Sequence, residues 1–241
     1  MSGEFDNRWG LLHVLGYCVL VAVVFIVAQI AVTFLLLLVL GVMDPTLDIE
    51  AFAEDSGSNG IVLAIATLGT AAVCVPFIRY LVGRRESDPW AFLGFTPTSA
   101  RKLAVWSLAL IVFVGTSDLL SIVTERPVVP EFMTDVYASA NPALLFVAIV
   151  FAAPLLEETF FRGFVISSLR SSGIAMFPAA LVSSLAWAAM HVQYDMYGIA
   201  TIFFMGLLLA AARAKTRSLW PCITMHAVAN SIAFLEAARS T

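Results

Sequence analysis

Two adjacent carboxylates and a guanidinium, Glu157, Glu158 and Arg162 of the stretch LLEETFFRGF, interrupt a run of residues that otherwise belongs in hydrocarbon. Charge in such surroundings costs several kcal/mol per group unless it is paired or reached by water. On a helix Glu158 and Arg162 are i and i+4 with the acid on the N-terminal side, the favoured order for an ion pair. Glu157 is rotated from Glu158 by about 100°. The spacing therefore separates the carboxylates: one is neutralised by Arg162 and the other is left to act. The competing structural reading lets both acids brace helices through hydrogen bonds.

The chain has three histidines. His13 lies near the edge of the first apolar run, an interfacial position. The others sit in WAAMH, where Trp187 precedes His191 by four residues, and in HAVAN, where His226 precedes Asn230 by four. That spacing puts both members of each pair on one helix face, so one carboxylate, two imidazoles and one amide can converge from three helices. Counted at about 1.5 Å per residue from the inner helix ends, Glu157 and His191 lie about 20 Å deep and His226 about 10 Å. The depths agree if residues 171–177 lie along the interface and the fifth span is tilted. A hydrolysis needs an activated water, oxyanion stabilisation and a proton for the leaving group, which these residue types can supply. Glu157, His191 and His226 also match a catalytic zinc set with one position left for water, although no HExxH helix is present. Zinc and a metal-free Glu157–water mechanism both stay open.

The elements that must position these residues are membrane helices. Hydrophobic residues make up 61% of the 241-residue chain and charged residues 12%, where a soluble domain carries about 25% charged. With about 20 apolar residues needed per span, seven spans are expected at 15–42, 61–83, 103–123, 143–169, 176–193, 197–214 and 219–237. The expected fold is an all-α polytopic membrane bundle. The spans of residues 1–142 carry no recognised motif, and 143–238 form the catalytic core. The first apolar run exceeds a signal-peptide h-region and is read as a retained span. Gln29 is read as a helix-packing contact and Asp118 as bonded within the bundle or near the external surface.

Lys and Arg set the orientation. An inside N-terminus puts Arg8, Arg79, Arg84, Arg85, Arg101, Lys102, Arg162, Arg170, Arg213, Lys215 and Arg217 on or toward the cytoplasm. The first external loop then carries Asp44, Asp48, Glu50, Glu54 and Asp55. The C-terminus falls outside the cell membrane, and the basic inner loop VGRRESDPWAFLGFTPTSARK suggests that water reaches the site from the cytoplasm. A net charge of −4 without a basic, aromatic-interleaved patch argues against nucleic acid. Cys18, Cys74 and Cys222 form no CxxC pair and read as buried small hydrophobes.

EETFFR (157–162), WAAMH (187–191) and HAVAN (226–230) together resemble the CAAX prenyl endopeptidase and bacteriocin-processing (CPBP or Abi) family of intramembrane proteases, marked by EExxxR, an aromatic four residues before His, and HxxxN. The resemblance covers about residues 143–235. Trp187 departs from the usual phenylalanine. The resemblance implies that Glu157 activates the attacking water, His191 assists, and His226 with Asn230 stabilises the oxyanion, with Glu158 and Arg162 in support. It also implies a membrane-anchored peptide or protein substrate, prenylated or leader-bearing. Rival readings are a non-catalytic immunity or scaffold protein of the same fold, or a proton-coupled transporter. Every expected catalytic residue is present, which counts against the first. No paired repeat halves appear, which counts against the second.

Overall fold

Apolarity sustained over whole helix lengths organises the computed structural model, which describes residues 9–46, 48 and 57–241. Arg8 and the acids Glu50, Glu54 and Asp55 lie outside the described residues. Every regular element among the described residues is helical: α1 Leu11–Met43, α2 Gly60–Gly83, α3 Pro89–Leu93, α4 Ala100–Val123, α5 Glu131–Ala138, α6 Pro142–Ser171, α7 Met176–Ala189, α8 Met196–Thr216 and α9 Trp220–Ser240. Of these, α1, α2, α4, α6 and α8 are long and apolar enough to cross a bilayer. The α9 helix has the length but is diluted by site residues. The protein is thus an all-α integral membrane protein, and each of the seven expected spans has its helix.

Helix α1 is apolar on all sides, as a lipid-embedded helix must be. Leu12, Ile30 and Phe34 are exposed, and its buried positions Val14, Val21 and Ala28 recur at heptad spacing toward α2. At 33 residues it is about 50 Å long, more than the roughly 30 Å hydrocarbon thickness, so it must tilt or project. Between α1 and α2 the Thr70 hydroxyl donates to Gln29 Oε1 at 3.0 Å, the packing contact expected of Gln29. The helix starts are chemically written. Asn59, Ser99, Asn141 and Asp195 cap α2, α4, α6 and α8 by accepting first-turn backbone N–H groups. Cys18, Cys74 and Cys222 are unpaired, the last two buried.

Helix α6 carries the EExxxR motif and is not a uniform α-helix. Its turns at Ala148–Ala152 and Thr159–Val165 are π-helical, a rare geometry that recurs at functional sites. The first has a local cause. Ala153 N–H donates back to the Ala148 carbonyl, and Pro154 has no N–H to give, so the Ile149 carbonyl lacks an intrahelical donor. Asn230 of α9 supplies one, Nδ2 to O at 2.6 Å. In the second, the Phe161 carbonyl accepts from the Ser183 hydroxyl of α7 at 2.9 Å, and the Arg162 carbonyl accepts from Arg213 Nε of α8 at 3.3 Å. The widened turns thus present carbonyls to the three helices that build the site.

Two expectations need correction. The connection expected at 171–177 is shorter: α6 continues to Ser171, a turn with Gly173 at φ +88° follows, and α7 begins at Met176. The fifth helix stops at Ala189, so at 14 residues it is about 21 Å long, shorter than a span, and His191 lies beyond its end.

The bundle has two unlike ends. At one, Leu219 N–H donates to the Gly94 carbonyl at 2.6 Å, Ser218 Oγ to the Thr96 carbonyl at 2.7 Å and Trp9 Nε1 to Glu86 at 2.7 Å. Gly94, at φ +90°, has no room for a Cβ because the Arg213 guanidinium lies 2.7 Å from where it would be. At the other end, residues 126–133 and 191–195 and the last turns of α4 and α9 surround an opening.

Candidate active site

Trp187 organises the site. Its side chain is 1% exposed, and its indole N–H donates to Glu157 Oε2 at 2.5 Å. Its ring meets the rings of His191 and His226 edge-on, with centroids 5.3 Å away in both cases. The Arg162 guanidinium carbon lies 4.3 Å above it, a cation–π contact in a dry setting. The aromatic of WAAMH therefore touches the acid of EETFFR, its arginine, its own histidine and the histidine of HAVAN.

Glu158 and Arg162 are both fully buried and pair at 3.0 Å, as the i, i+4 spacing predicts, here across a π turn. The same oxygen, Glu158 Oε1, also lies 2.9 Å from His226 Nδ1. Glu158 is thus shared between Arg162 and His226. As a carboxylate it accepts from Nδ1–H, which leaves the Nε2 edge of His226 for the cleft. His191 is held differently. Just past the α7 C-terminus, its Nδ1 lies 2.8 Å from the Trp187 carbonyl, which also accepts from the Met190 N–H at 3.2 Å. A carbonyl can only accept, so Nδ1 carries the hydrogen and Nε2 of the neutral ring is a free base.

Trp187, His191, His226 and Asn230 line a cavity of about 400 Å³. Glu157, half-buried, is tied to it through the Trp187 indole. The structure thus gathers Glu157, Glu158, Arg162, Trp187, His191, His226 and Asn230 in one region. Asn230 arrives with one amide hydrogen committed to the Ile149 carbonyl. No three His, Cys, Asp or Glu among the described residues are grouped so that they could hold a metal ion, although the Nδ1 engagement of both histidines leaves each Nε2 free, as it is in a ring that ligates a metal.

The cavity opens at the end opposite the basic loop, between the last turns of α4 and α9 and the residues before α8. Aqueous access from the basic face is therefore corrected. Asp118, Glu131, Asp195 and Glu236 line this opening with Arg126, which pairs with Asp195 at 2.8 Å. Asp118 belongs to it, not to a bond inside the bundle. Two residues with roles here were missed from sequence. Tyr194 lines the cavity, its ring centroid 6.1 Å from that of His191; burial, then the Glu157 charge, hold its phenol above the ordinary value. An aromatic three residues past a motif histidine was the available signal. Arg213 reads as one more loop cation but donates to the Arg162 carbonyl and to Ser167 Oγ.

The site is thus a buried Glu–Arg–His cluster beside a second, half-buried glutamate in a membrane helical bundle. The chain belongs to the Rce1-like family of type II CAAX prenyl endopeptidases, whose family model matches residues 139–232. A similar protein of Escherichia coli, described as an uncharacterized 24.3 kDa protein, is 31% identical over 185 residues, which cover 75% of this chain and 82% of that one. No solved structure matches the chain.

Proposed function

We propose that the protein is an integral membrane endopeptidase that hydrolyses a peptide bond near the end of a membrane-tethered substrate, with residues 143–238 as its catalytic part. The observation that carries this reading is the meeting of Glu157, His191 and His226 on one indole at the floor of a cleft. Glu157, with His191 Nε2, takes a proton from water. The water oxygen bonds to the scissile carbonyl carbon, and the resulting oxyanion accepts hydrogen bonds from the second amide hydrogen of Asn230 and, in the form of the ring protonated on both nitrogens, from His226 Nε2–H. The proton passes to the amine as the carbon–nitrogen bond breaks. Glu158 and Arg162 position His226. No step is routed through a metal.

The test is a peptidase assay on detergent-solubilised protein with quenched fluorogenic peptides. Glu157→Gln still offers an acceptor to the Trp187 N–H, so its thermal midpoint should match wild type. Its activity should fall roughly a hundred- to ten-thousand-fold, the range of general-base catalysis. Wild-type turnover in Glu157→Gln would remove Glu157 as the base. Full activity in His226→Ala as well would sink this reading of the site, and no wild-type turnover of any peptide would leave the scaffold reading in its place.

A further inference from the structure

We infer that Tyr194 is a further catalytic residue, whose phenol O–H donates a hydrogen bond to the oxyanion formed when water adds to the scissile carbonyl. This rests on the endopeptidase reading above and adds a residue to its oxyanion site.

An oxyanion site works through hydrogen-bond donors fixed where negative charge develops. Asn230 brings one amide hydrogen to the cleft, its other being held by the Ile149 carbonyl. His226 has Nδ1 engaged by Glu158 at 2.9 Å, so the neutral ring offers only an acceptor at Nε2. Other N–H and O–H groups around the cavity are committed. The Trp187 indole donates to Glu157 at 2.5 Å, the Tyr197 hydroxyl to the Ser117 carbonyl at 2.8 Å, and Arg126 to Asp195 at 2.8 Å. With His226 neutral, Asn230 alone of the residues assigned so far can donate to the oxyanion.

Tyr194 supplies a second donor that needs no extra proton. It lines the cavity together with Trp187, His191, His226 and Asn230, and its ring centroid lies 6.1 Å from that of His191. Its hydroxyl has no hydrogen-bond partner among the described residues. A phenol O–H in a cleft wall without a protein partner can donate to whatever occupies the cleft. Burial, then the Glu157 charge, hold the phenol above its ordinary value, so its hydrogen stays in place at neutral pH. The second cause also places Tyr194 within the field of the carboxylate that takes the proton from water.

The backbone holds the ring in place from both sides. The Tyr194 N–H donates to the His191 carbonyl at 3.1 Å, closing a turn just after α7. One residue on, Asp195 caps α8 by accepting the Gly198 N–H at 2.8 Å. The side chain lies against Gly198, where a Cβ would meet Tyr194 Cβ at 2.9 Å and Cδ1 at 3.2 Å, so the absence of a side chain there lets the ring sit against α8. A donor fixed before the reaction costs no reorganisation in the transition state. The phenol keeps its proton throughout. Its bond strengthens as C=O becomes C–O⁻ and relaxes when the carbon–nitrogen bond breaks and the carbonyl reforms.

Tyr194→Phe keeps the ring and removes only the hydroxyl. On a quenched fluorogenic peptide that the wild type cuts, its kcat should fall roughly a hundred- to thousand-fold, the range for losing one oxyanion donor. KM and the thermal midpoint at neutral pH should stay near wild type. A phosphinic peptide of the same sequence, with a tetrahedral P–O⁻ in place of the scissile carbonyl, separates this role from packing. Its inhibition constant should rise in Tyr194→Phe by a factor similar to the loss in kcat, because it copies the oxyanion and the substrate does not. Wild-type kcat in Tyr194→Phe, with Glu157→Gln inactive, overturns the inference and leaves the endopeptidase standing. So does a loss of activity that comes with a lower midpoint and a higher KM and no selective loss of the phosphinic peptide, since Tyr194 would then only shape the wall. If the wild type shows no Glu157-dependent turnover of any peptide, the endopeptidase reading itself fails, and the role of Tyr194 with it.

Discussion

At a single oxygen, Glu158 Oε1, a guanidinium at 3.0 Å and an imidazole at 2.9 Å meet in the buried interior. Arg162 Nε and Nη2 and Glu158 Oε2 find no protein partner, so the pair and the Trp187 face stabilise Arg162. Removing one member of a buried pair costs about 3–5 kcal/mol, because the other charge stays behind in the dry interior. Arg162→Ala should therefore lower the thermal midpoint of the solubilised protein sharply. The double variant Glu158→Gln with Arg162→Met, which leaves no net charge, should recover part of the loss. An unchanged midpoint in Arg162→Ala would show that the pair is not what holds Glu158. Trp187→Phe is a finer probe. Phenylalanine is the usual residue at this motif position, so the ring fits, but it cannot donate to Glu157. Charge-assisted bonds are worth about 1.5–3 kcal/mol, so kcat/KM should fall tenfold or more with little change in midpoint. Equal activity would mean that Glu157 is positioned by something else. Tyr194 adds a pH test. Its phenol is held above its ordinary value of 10.0, first by burial and then by Glu157. The resulting stabilisation is complete below that value and is lost as pH rises through the folded one. Tyr194→Phe should flatten this alkaline loss in a pH series of thermal midpoints.

At the scale of elements, the sequence makes visible what local physics decides. Runs of apolar residues must become helices in a bilayer, because no other open structure satisfies the backbone there. The expected segments consequently match α1, α2, α4, α6, α8 and α9 to within a few residues at most ends. The i, i+4 pairing of Glu158 with Arg162 is equally local. What was not legible is tertiary. Pro154 removes a donor, but only Asn230 on a distant helix makes the resulting π turn at Ala148–Ala152 sustainable. The early end of α7 depends on His191 turning back onto the Trp187 carbonyl. The sharing of Glu158 by His226 needs α6 and α9 side by side. The close approach of α8 to this layer is set by Gly206, where a Cβ would meet Ser184 Cβ at 2.9 Å and Arg162 Nη2 at 3.0 Å. Gly206→Ala should cost about 1–3 kcal/mol as overpacking and disturb activity through Arg162. Adding Ser184→Gly, which removes the nearer atom, should restore part of both. No rescue in the thermal and peptidase assays would place the strain elsewhere.

The whole molecule divides stability from access. Its sealed end is built of aromatic contacts around the buried Trp9 and Phe164. Trp9 is 1% exposed, stacks on Phe92 with centroids 5.2 Å apart, and donates to Glu86, tying the start of α1 to the α2–α3 connection. Its open end is spanned instead by Arg126 and Asp195, 48% and 63% exposed, and pairs of that kind contribute about 0–1 kcal/mol. Two single substitutions should therefore behave very differently although each removes a link between distant segments. Trp9→Ala, which vacates a large buried volume, should cost about 3–5 kcal/mol and lower the thermal midpoint of the solubilised protein by many degrees. Arg126→Ala should shift that midpoint by no more than about 1 kcal/mol equivalent, while changing KM for peptides that must pass the mouth. A large stability loss in Arg126→Ala, or none in Trp9→Ala, would reverse the assignment of the two ends. It would also remove the structural reason for placing entry at the end where the bundle is least tightly closed.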